Sequence, residues 1–363
     1  MVLLLAIAIL QASTLCAQPA FDIEYVEKIR PLHYVAQRAL APLLIDGKLD
    51  EPSWQRAPWT PAFVDIEGER KERPHLATRA KMLWDDEYFY IAADLEEPHV
   101  WATLVERDAV IYRDNDFEVF IDPDADTHLY YEFEINAHGT EWDLLLAKPY
   151  RDGGPYINAW HIEGLQTAVQ VWGTINDPTD EDQGWSVEMA FPWRVLQQAN
   201  SRRRGGVEGQ VWRVNFSRVQ WELEVIDGEY VKVQGRSEDN WVWSPQGLIN
   251  MHFPEKWGYV LFSGESVGAA SEPFVRPASE QALDVLRSIY YRQRRFRAER
   301  GHYASDVDSL GMENPVLHHF LWPPVISATG RSFEAYMEEV TDVEEDGKIS
   351  RYGIGSDGKT WKN

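Results

Sequence analysis

The sequence predicts a mainly β protein: an antiparallel, jelly-roll-like β-sandwich followed by a small C-terminal α+β domain. Three observations carry this expectation. Between residues 42 and 262, short alternating apolar runs are split by turn formers at close intervals. Aromatic residues make up 13% of the chain, with 16 Trp, 16 Tyr and 14 Phe, which supplies flat apolar area for the space between two sheets. Beyond residue 277 the apolar spacing changes to that of a helix.

Met1 is followed by Val2-Leu3-Leu4-Leu5-Ala6-Ile7-Ala8-Ile9-Leu10, a run too short for an ordinary membrane span that gives way to small residues ending at Ala17. Residues 1–17 therefore read as a signal peptide, and the expected location is exported: periplasmic, cell-surface or extracellular. Cys16, the only cysteine, falls inside that leader, so no disulfide is expected in the mature chain. No second apolar run is long enough to cross a membrane. Residues 18–41 form a lead-in, and Ala41-Pro42 opens the first expected strand.

The sandwich is expected over residues 42–262. Its strand-like runs lie at 80–84, 88–95, 117–121, 131–136, 142–146, 169–172, 185–190, 211–219 and 257–262. Turn signals between them include Asp85-Asp86, Glu97-Pro98, Asp122-Pro123-Asp124, His138-Gly139 and Asp152-Gly153-Gly154-Pro155. One helical piece, at 192–200, runs into the basic loop Arg202-Arg203-Arg204. Residues 263–277 are small, polar and broken by Gly264, Gly268, Pro273 and Pro277, which marks a linker. In the domain expected over 278–363, residues 279–300 carry Leu283, Leu286, Ile289, Tyr290 and Phe296 at helical spacing. Arginines crowd the later half, where cations complement the helix C-terminus. Strand-like pieces follow at 310–312, 332–337 and 350–354, with turns at Asp346-Gly347 and Asp357-Gly358.

A formal charge of −24, from 35 basic and 59 acidic side chains, repels phosphate backbones and anionic lipids. Nucleic acid is thereby excluded as a partner class, whereas neutral glycans and divalent cations remain compatible.

Three strings stand out: Leu44-Ile45-Asp46-Gly47-Lys48-Leu49-Asp50-Glu51, Leu83-Trp84-Asp85-Asp86-Glu87-Tyr88-Phe89-Tyr90-Ile91, and Asp116-Phe117-Glu118-Val119-Phe120-Ile121-Asp122. Each reads as a strand with an acidic edge. In the third, period 2 places Phe117, Val119 and Ile121 on a core face and Asp116, Glu118, Phe120 and Asp122 on the other. The next strand sorts Tyr131, Phe133 and Ile135 from Tyr130, Glu132, Glu134 and Asn136. If the two are neighbours, Glu118, Glu132 or Glu134, and Asn136 converge on one polar surface. Carboxylate and amide groups there can hold vicinal sugar hydroxyls while rings stack on sugar faces. Trp142, within Thr140-Glu141-Trp142-Asp143, belongs either to the core or to this surface, and the loop from Lys148 to Gly154 is a candidate rim.

With Gly184-Trp185-Ser186-Val187-Glu188-Met189-Ala190-Phe191-Pro192-Trp193 and Asn240-Trp241-Val242-Trp243-Ser244-Pro245-Gln246-Gly247, the order of these motifs resembles family 9 carbohydrate-binding modules, secreted β-sandwiches of the wider DOMON-like group. The resemblance implies noncatalytic carbohydrate binding, accessory to polysaccharide catabolism, with a glycan or polysaccharide as partner. Carried over by position, Glu118 is the family's hydroxyl-gripping glutamate. Tyr112 stands where the first clamp aromatic is tryptophan, Met251 where the second aromatic is expected, and Glu134 where a basic residue is expected. The implied carbohydrate-binding set is Tyr112, Glu118, Glu134, Asn136, Trp142 and Met251. The C-terminal part loosely resembles the globular part of type IV pilin-like proteins.

Asp122-Pro123-Asp124-Ala125-Asp126 places three carboxylates at alternating positions, a donor set suited to Ca²⁺, and the resemblance implies structural calcium. An exposed acidic turn has the same composition. No catalytic residue is assigned: the chain has no Gly-x-Ser-x-Gly elbow, no HExxH pair and no phosphate-binding glycine loop. Three alternatives stay open: an envelope protein-interaction module that has lost sugar binding, a DOMON-like haem binder using His138, His161 or Met251, and a glycoside hydrolase.

Overall fold

The computed structural model describes residues 21–201, 206–270, 273–343 and 349–363. The expected leader at 1–17 with Cys16, the Arg202-Arg203-Arg204 loop and the Asp346-Gly347 turn lie outside them.

Alternation of apolar and polar residues dictates the main body. In chain order it comprises α1 (Ile23–Val26), β1 (His33–Arg38), α2 (Pro52–Arg56), β2 (Val64–Asp65), β3 (Thr78–Trp84), β4 (Tyr88–Glu96), β5 (Asp116–Asp122), β6 (Tyr130–Asn136), β7 (Glu141–Leu146), β8 (Tyr156–Ile157) and β9 (Gln166–Trp172). It continues with β10 (Gly184–Pro192), α3 (Trp193–Leu196), β11 (Val211–Gln220), the hairpin β12 (Leu223–Ile226) and β13 (Glu229–Lys232), β14 (Asp239–Val242) and β15 (Gly258–Ser266). Strands run β8-β7-β6-β5-β11-β15-β1 through one layer and β1-β3-β4-β10-β9 through the other. β1 belongs to both: His33 to Ala36 pair in parallel with β15, and Gln37 and Arg38 with Leu83 and Trp84 of β3.

The two layers close over one core. Phe117, Val119, Ile121, Phe133, Trp212, Val214 and Phe216 come from the first layer, and Met82, Ile91, Trp185, Val187 and Met189 from the second. All are buried. The core face predicted for β5 and β6 is the one that packs here, so the mainly β sandwich read from the sequence is the fold observed.

Four local expectations are corrected. The first strand is β1, inside the stretch read as a lead-in, and the string 44–51 is not a strand. It crosses the outer face of the second layer, where Leu43, Ile45 and Leu49 pack against a patch formed by Trp54, Leu83, Tyr90 and Ala190. The Asp46 and Gly47 amides donate to Glu188 Oε2 at 2.9 and 2.7 Å, and Trp54 Nε1 donates to Glu188 Oε1 at 2.7 Å. Gly47, at φ 86°, passes so close to the β9 backbone that a Cβ would lie 2.7 Å from the Gln170 amide nitrogen. The helix expected at 192–200 is the single turn α3, and 310–312 is a turn closed by the Leu310 and Met312 amides on the Val307 carbonyl.

In the C-terminal region α4 (Ser279–Arg300) packs on an antiparallel sheet of β16 (Val325–Ala328), β17 (Phe333–Val343), β18 (Ile349–Gly355) and β19 (Thr360–Lys362), in that order. Gly301, left-handed at φ 78°, ends the helix and donates to the Arg297 carbonyl. Leu286, Ile289, Tyr290, Ala335, Met337 and Ile354 form its core, joined by Ile23 and Val26 of α1 and by Phe253. A buried ionic knot fastens α4 to the sandwich. Glu280 Oε2 accepts from Arg213 (2.7 Å), Tyr259 (2.8 Å) and Arg287 (2.9 Å). Burial pushes this carboxyl up, yet the Arg213, Arg287 and Arg276 guanidinium groups outweigh it and hold it at about 2.

Candidate functional site

The outward residues of β5, β6 and β7 build the floor of a recess of about 760 Å³. Antiparallel register sets Glu118 opposite Glu134, Phe120 opposite Glu132, and Glu134 opposite Trp142. These side chains share one face because cross-strand partners point the same way. The rim carries Tyr112 from the turn before β5, Tyr150 from the loop after β7, Tyr156 from β8, and Asn158, Asn240 and Met251. Tyr112, Tyr150 and Tyr156 are 40%, 45% and 50% exposed, leaving ring surface open to the recess.

Five of the six predicted binding residues line this recess: Tyr112, Glu118, Glu134, Trp142 and Met251. Asn136 does not. It is fully buried, and its amide donates to the Leu104 carbonyl at 2.8 Å and to Asp114 Oδ2 at 3.0 Å, while its oxygen accepts from the His138 and Thr140 amides. Asn136 thus fixes the β6–β7 turn. Trp142 keeps its ring at the recess and donates Nε1–H to Asn158 Oδ1 at 2.6 Å. Of the three residues considered as haem ligands, Met251 alone lines the recess. His138 Nε2 sits 3.1 Å from the Ala102 carbonyl, and His161 Nδ1 sits 3.1 Å from Asp143 Oδ2.

The sequence offered the loop from Lys148 to Gly154 as a candidate rim without singling out Tyr150, and it left Tyr156 and His252 out of the site. Tyr150 and Tyr156 meet edge to face, with centroids 5.9 Å apart, and Tyr150 stands 4.3 Å from the His252 ring. Burial and the nearby Arg151 cation push His252 down to about 3, so it is neutral and can accept from the Tyr130 hydroxyl at 2.9 Å. Two tyrosines flanking Gly153-Gly154-Pro155 were the available signal: a tight turn that projects rings from both of its arms.

The floor is unusually acidic. Burial pushes Glu118 up to about 7, against a partial pull from the neighbouring Ser217 hydroxyl. Burial and then mutual repulsion push Asp116, Glu132 and Glu134 well above the carboxylate range. Glu134 Oε2 accepts from the Tyr112 amide at 2.9 Å, which couples the floor to the rim ring. Such groups offer sugar hydroxyls both acceptors and, when protonated, donors.

The predicted cation turn is also buried. Oxygens of Asp122, Asp124 and Asp126 lie within 4.8 Å of one another. Asp122 accepts from the Ala125 and Thr127 amides, Asp126 from the His128 amide, and Lys359 Nζ stands 3.1 Å from Asp126 Oδ2. Asp124 Oδ1 alone is buried without a partner, so the donor set fits a cation in competition with Lys359.

Fold and recess define a β-sandwich with a concave, ring-bordered outer face. Residues 45–215 match the family described as carbohydrate family 9 binding domain-like. The chain is 25% identical over 157 residues to exoglucanase XynX of Acetivibrio thermocellus and 24% identical over the same length to endo-1,4-beta-xylanase A of Thermoanaerobacterium saccharolyticum. These alignments cover 43% of this chain but only 12% and 11% of those proteins. Among solved structures, a candidate carbohydrate-binding protein from Bacteroides uniformis aligns over 64% of this chain and all of its own, with 17% identity and a TM-score of 0.47. A family 9 carbohydrate-binding module from Caldicellulosiruptor kristjanssonii, solved with cellotriose, aligns over 67% of this chain and all of its own, with 14% identity and a TM-score of 0.41.

Proposed function

We propose that the chain is a noncatalytic carbohydrate-binding protein that acts in polysaccharide breakdown and holds a saccharide in the recess over β5, β6 and β7. One observation carries this reading: a concavity of sugar size whose floor is hydrogen-bonding carboxyl groups and whose rim is exposed tyrosine. Tyr112, Tyr150, Tyr156 and Trp142 supply stacking area, and Glu118, Glu132, Glu134 and Asn158 supply hydroxyl contacts. The match to the carbohydrate-binding family and the likeness to an exoglucanase and a xylanase support it. The same relatives, together with the apolar run at residues 2–10, support an exported location. A structural Ca²⁺ at Asp122, Asp124 and Asp126 is a secondary part of this reading, supported by the unpartnered Asp124 oxygen.

Calorimetry with cello- and xylo-oligosaccharides, extended to soluble plant and algal polysaccharides, tests the proposal. Saturable binding that weakens at least tenfold in Tyr150→Ala, with thermal stability unchanged, is expected. Silence across the whole panel, or binding indifferent to Tyr150→Ala, Tyr112→Ala and Glu118→Gln alike, would overturn it.

A further inference from the structure

At and just beneath the floor of the recess lie more acidic groups than their surroundings neutralise. One oxygen from each of Asp116, Glu118 and Glu134 lies within 4.8 Å of the others. That is the oxygen–oxygen spacing found around a single Ca²⁺, whose bonds run about 2.3 to 2.6 Å. Asp116 Oδ2 and Glu118 Oε2 are buried and have no hydrogen-bond partner, and neither has Glu132 Oε2 next to them. A fourth, uncharged group points the same way. Ser217 stands directly opposite Glu118 in the β5–β11 pair, is fully buried, and its hydroxyl makes no well-formed hydrogen bond.

Buried carboxylates with no counter-ion are costly, and such a group either protonates or binds a cation. Protonation would convert each acid into a hydroxyl donor in need of an acceptor, yet here oxygens of three neighbouring acids and a serine are left without partners. The Asp122 turn differs, because amides and Lys359 already occupy most of its oxygens.

We propose that the floor of the recess is a divalent-cation site, fitted to Ca²⁺ and held by the carboxylates of Asp116, Glu118 and Glu134 with the Ser217 hydroxyl. Ca²⁺ suits it better than Mg²⁺, since the donors are all oxygen, rich in carboxylate and irregular in arrangement. Glu118 and Glu134 border the open recess. The coordination positions that the protein leaves free therefore face that space, where water or a ligand hydroxyl completes the shell. The site shares Glu118 and Glu134 with the saccharide reading but rests on the unpartnered acid oxygens and Ser217, not on sugar binding.

Chelator-treated full-length chain, titrated with CaCl₂ by calorimetry, tests it. Expected is saturable binding tighter than about 1 mM that weakens at least tenfold in Glu118→Gln and persists in Asp124→Asn. As a measurement that needs no variant, wild-type crystals soaked in MnCl₂ should show an anomalous peak between Asp116, Glu118 and Glu134. Absence of saturable Ca²⁺ binding, loss of binding in Asp124→Asn with none in Glu118→Gln, or a manganese peak only at the Asp122 turn would each overturn the proposal. Cation binding without saccharide binding would uphold it while refuting the saccharide reading, and saccharide binding by a chain that takes no cation would do the reverse.

Discussion

Arg151 grips Glu255 through two hydrogen bonds of 2.9 Å from one guanidinium nitrogen, one residue after the rim ring Tyr150. The Tyr291 hydroxyl of α4 donates to the same carboxylate at 2.6 Å, and next along the loop Asp152 accepts from Tyr290 at 2.6 Å and from Arg294 at 2.8 Å. The C-terminal helix therefore holds the loop that presents Tyr150 to the recess, and a role in shaping the site falls to a region distant in sequence.

Arg151→Ala removes the cation of this largely buried pair and leaves Glu255 with the Tyr291 hydroxyl but no guanidinium in hydrogen-bond contact. A cost of about 3 to 5 kcal/mol is expected, because the remaining charge keeps its desolvation penalty. Urea unfolding measures it. Any saccharide affinity should fall along with it, through the displaced Tyr150, even at temperatures where the variant stays folded.

The knot at Glu280 makes stability sensitive to acid. Its folded value of about 2 lies below its ordinary 4.5, so its contribution is present above 4.5 and is lost as pH falls through about 2. Denaturant unfolding between pH 5 and pH 2 should show that decline in the wild type and a shallower one in Glu280→Gln, whose starting stability is lower.

Glu118 has the opposite sign. Its folded value of about 7 lies above 4.5, so its contribution is full below 4.5 and is lost as pH rises through about 7. Chelated wild-type protein should lose thermal stability between pH 5 and pH 8, and Glu118→Gln should flatten that slope. A slope identical in the two proteins would show that Glu118 is already neutralised by another partner.

Trp212 belongs to the sandwich core, has no exposed surface, and meets the Trp193 and Phe262 rings edge to face in a three-ring cluster. Trp212→Ala should cost about 3 to 5 kcal/mol through lost burial and the cavity left behind. Equilibrium unfolding checks the size, and near-ultraviolet circular dichroism should report loosened ring packing.

The fold was legible where one face of a strand meets the core and the other does not. Phe117, Val119 and Ile121 alternate with Asp116, Glu118 and Phe120 because β5 is central to a layer with the recess on its outer side. The same logic misread 44–51. Its apolar residues alternate because they press on Trp54 and Tyr90, and its amides go to Glu188, so packing across a sheet produced the pattern of pairing within one. Of the site, the floor acids followed from strand periodicity. The rings of Tyr150 and Tyr156 did not: Tyr150 sits in a loop, which has no period and is tied to α4 through Asp152, and Tyr156 sits in the two-residue β8, too short to show one. Asn136 shares the periodicity of Glu134 but reaches the strand end, where the turn backbone claims its amide.

β1 lends its first half to one layer and its second half to the other, so the two halves of the sandwich are stitched by a segment ahead of the family-matched residues. A fragment cut to residues 45–215 would lose that stitch along with β15 and the second half of β11, leaving the β3 edge and the remnant of β11 bare. Unpaired edges of this kind recruit strands from neighbouring molecules. The minimal unit that folds cleanly thus begins upstream of His33, and trimming to the recognisable motif invites aggregation instead of yielding a smaller binder.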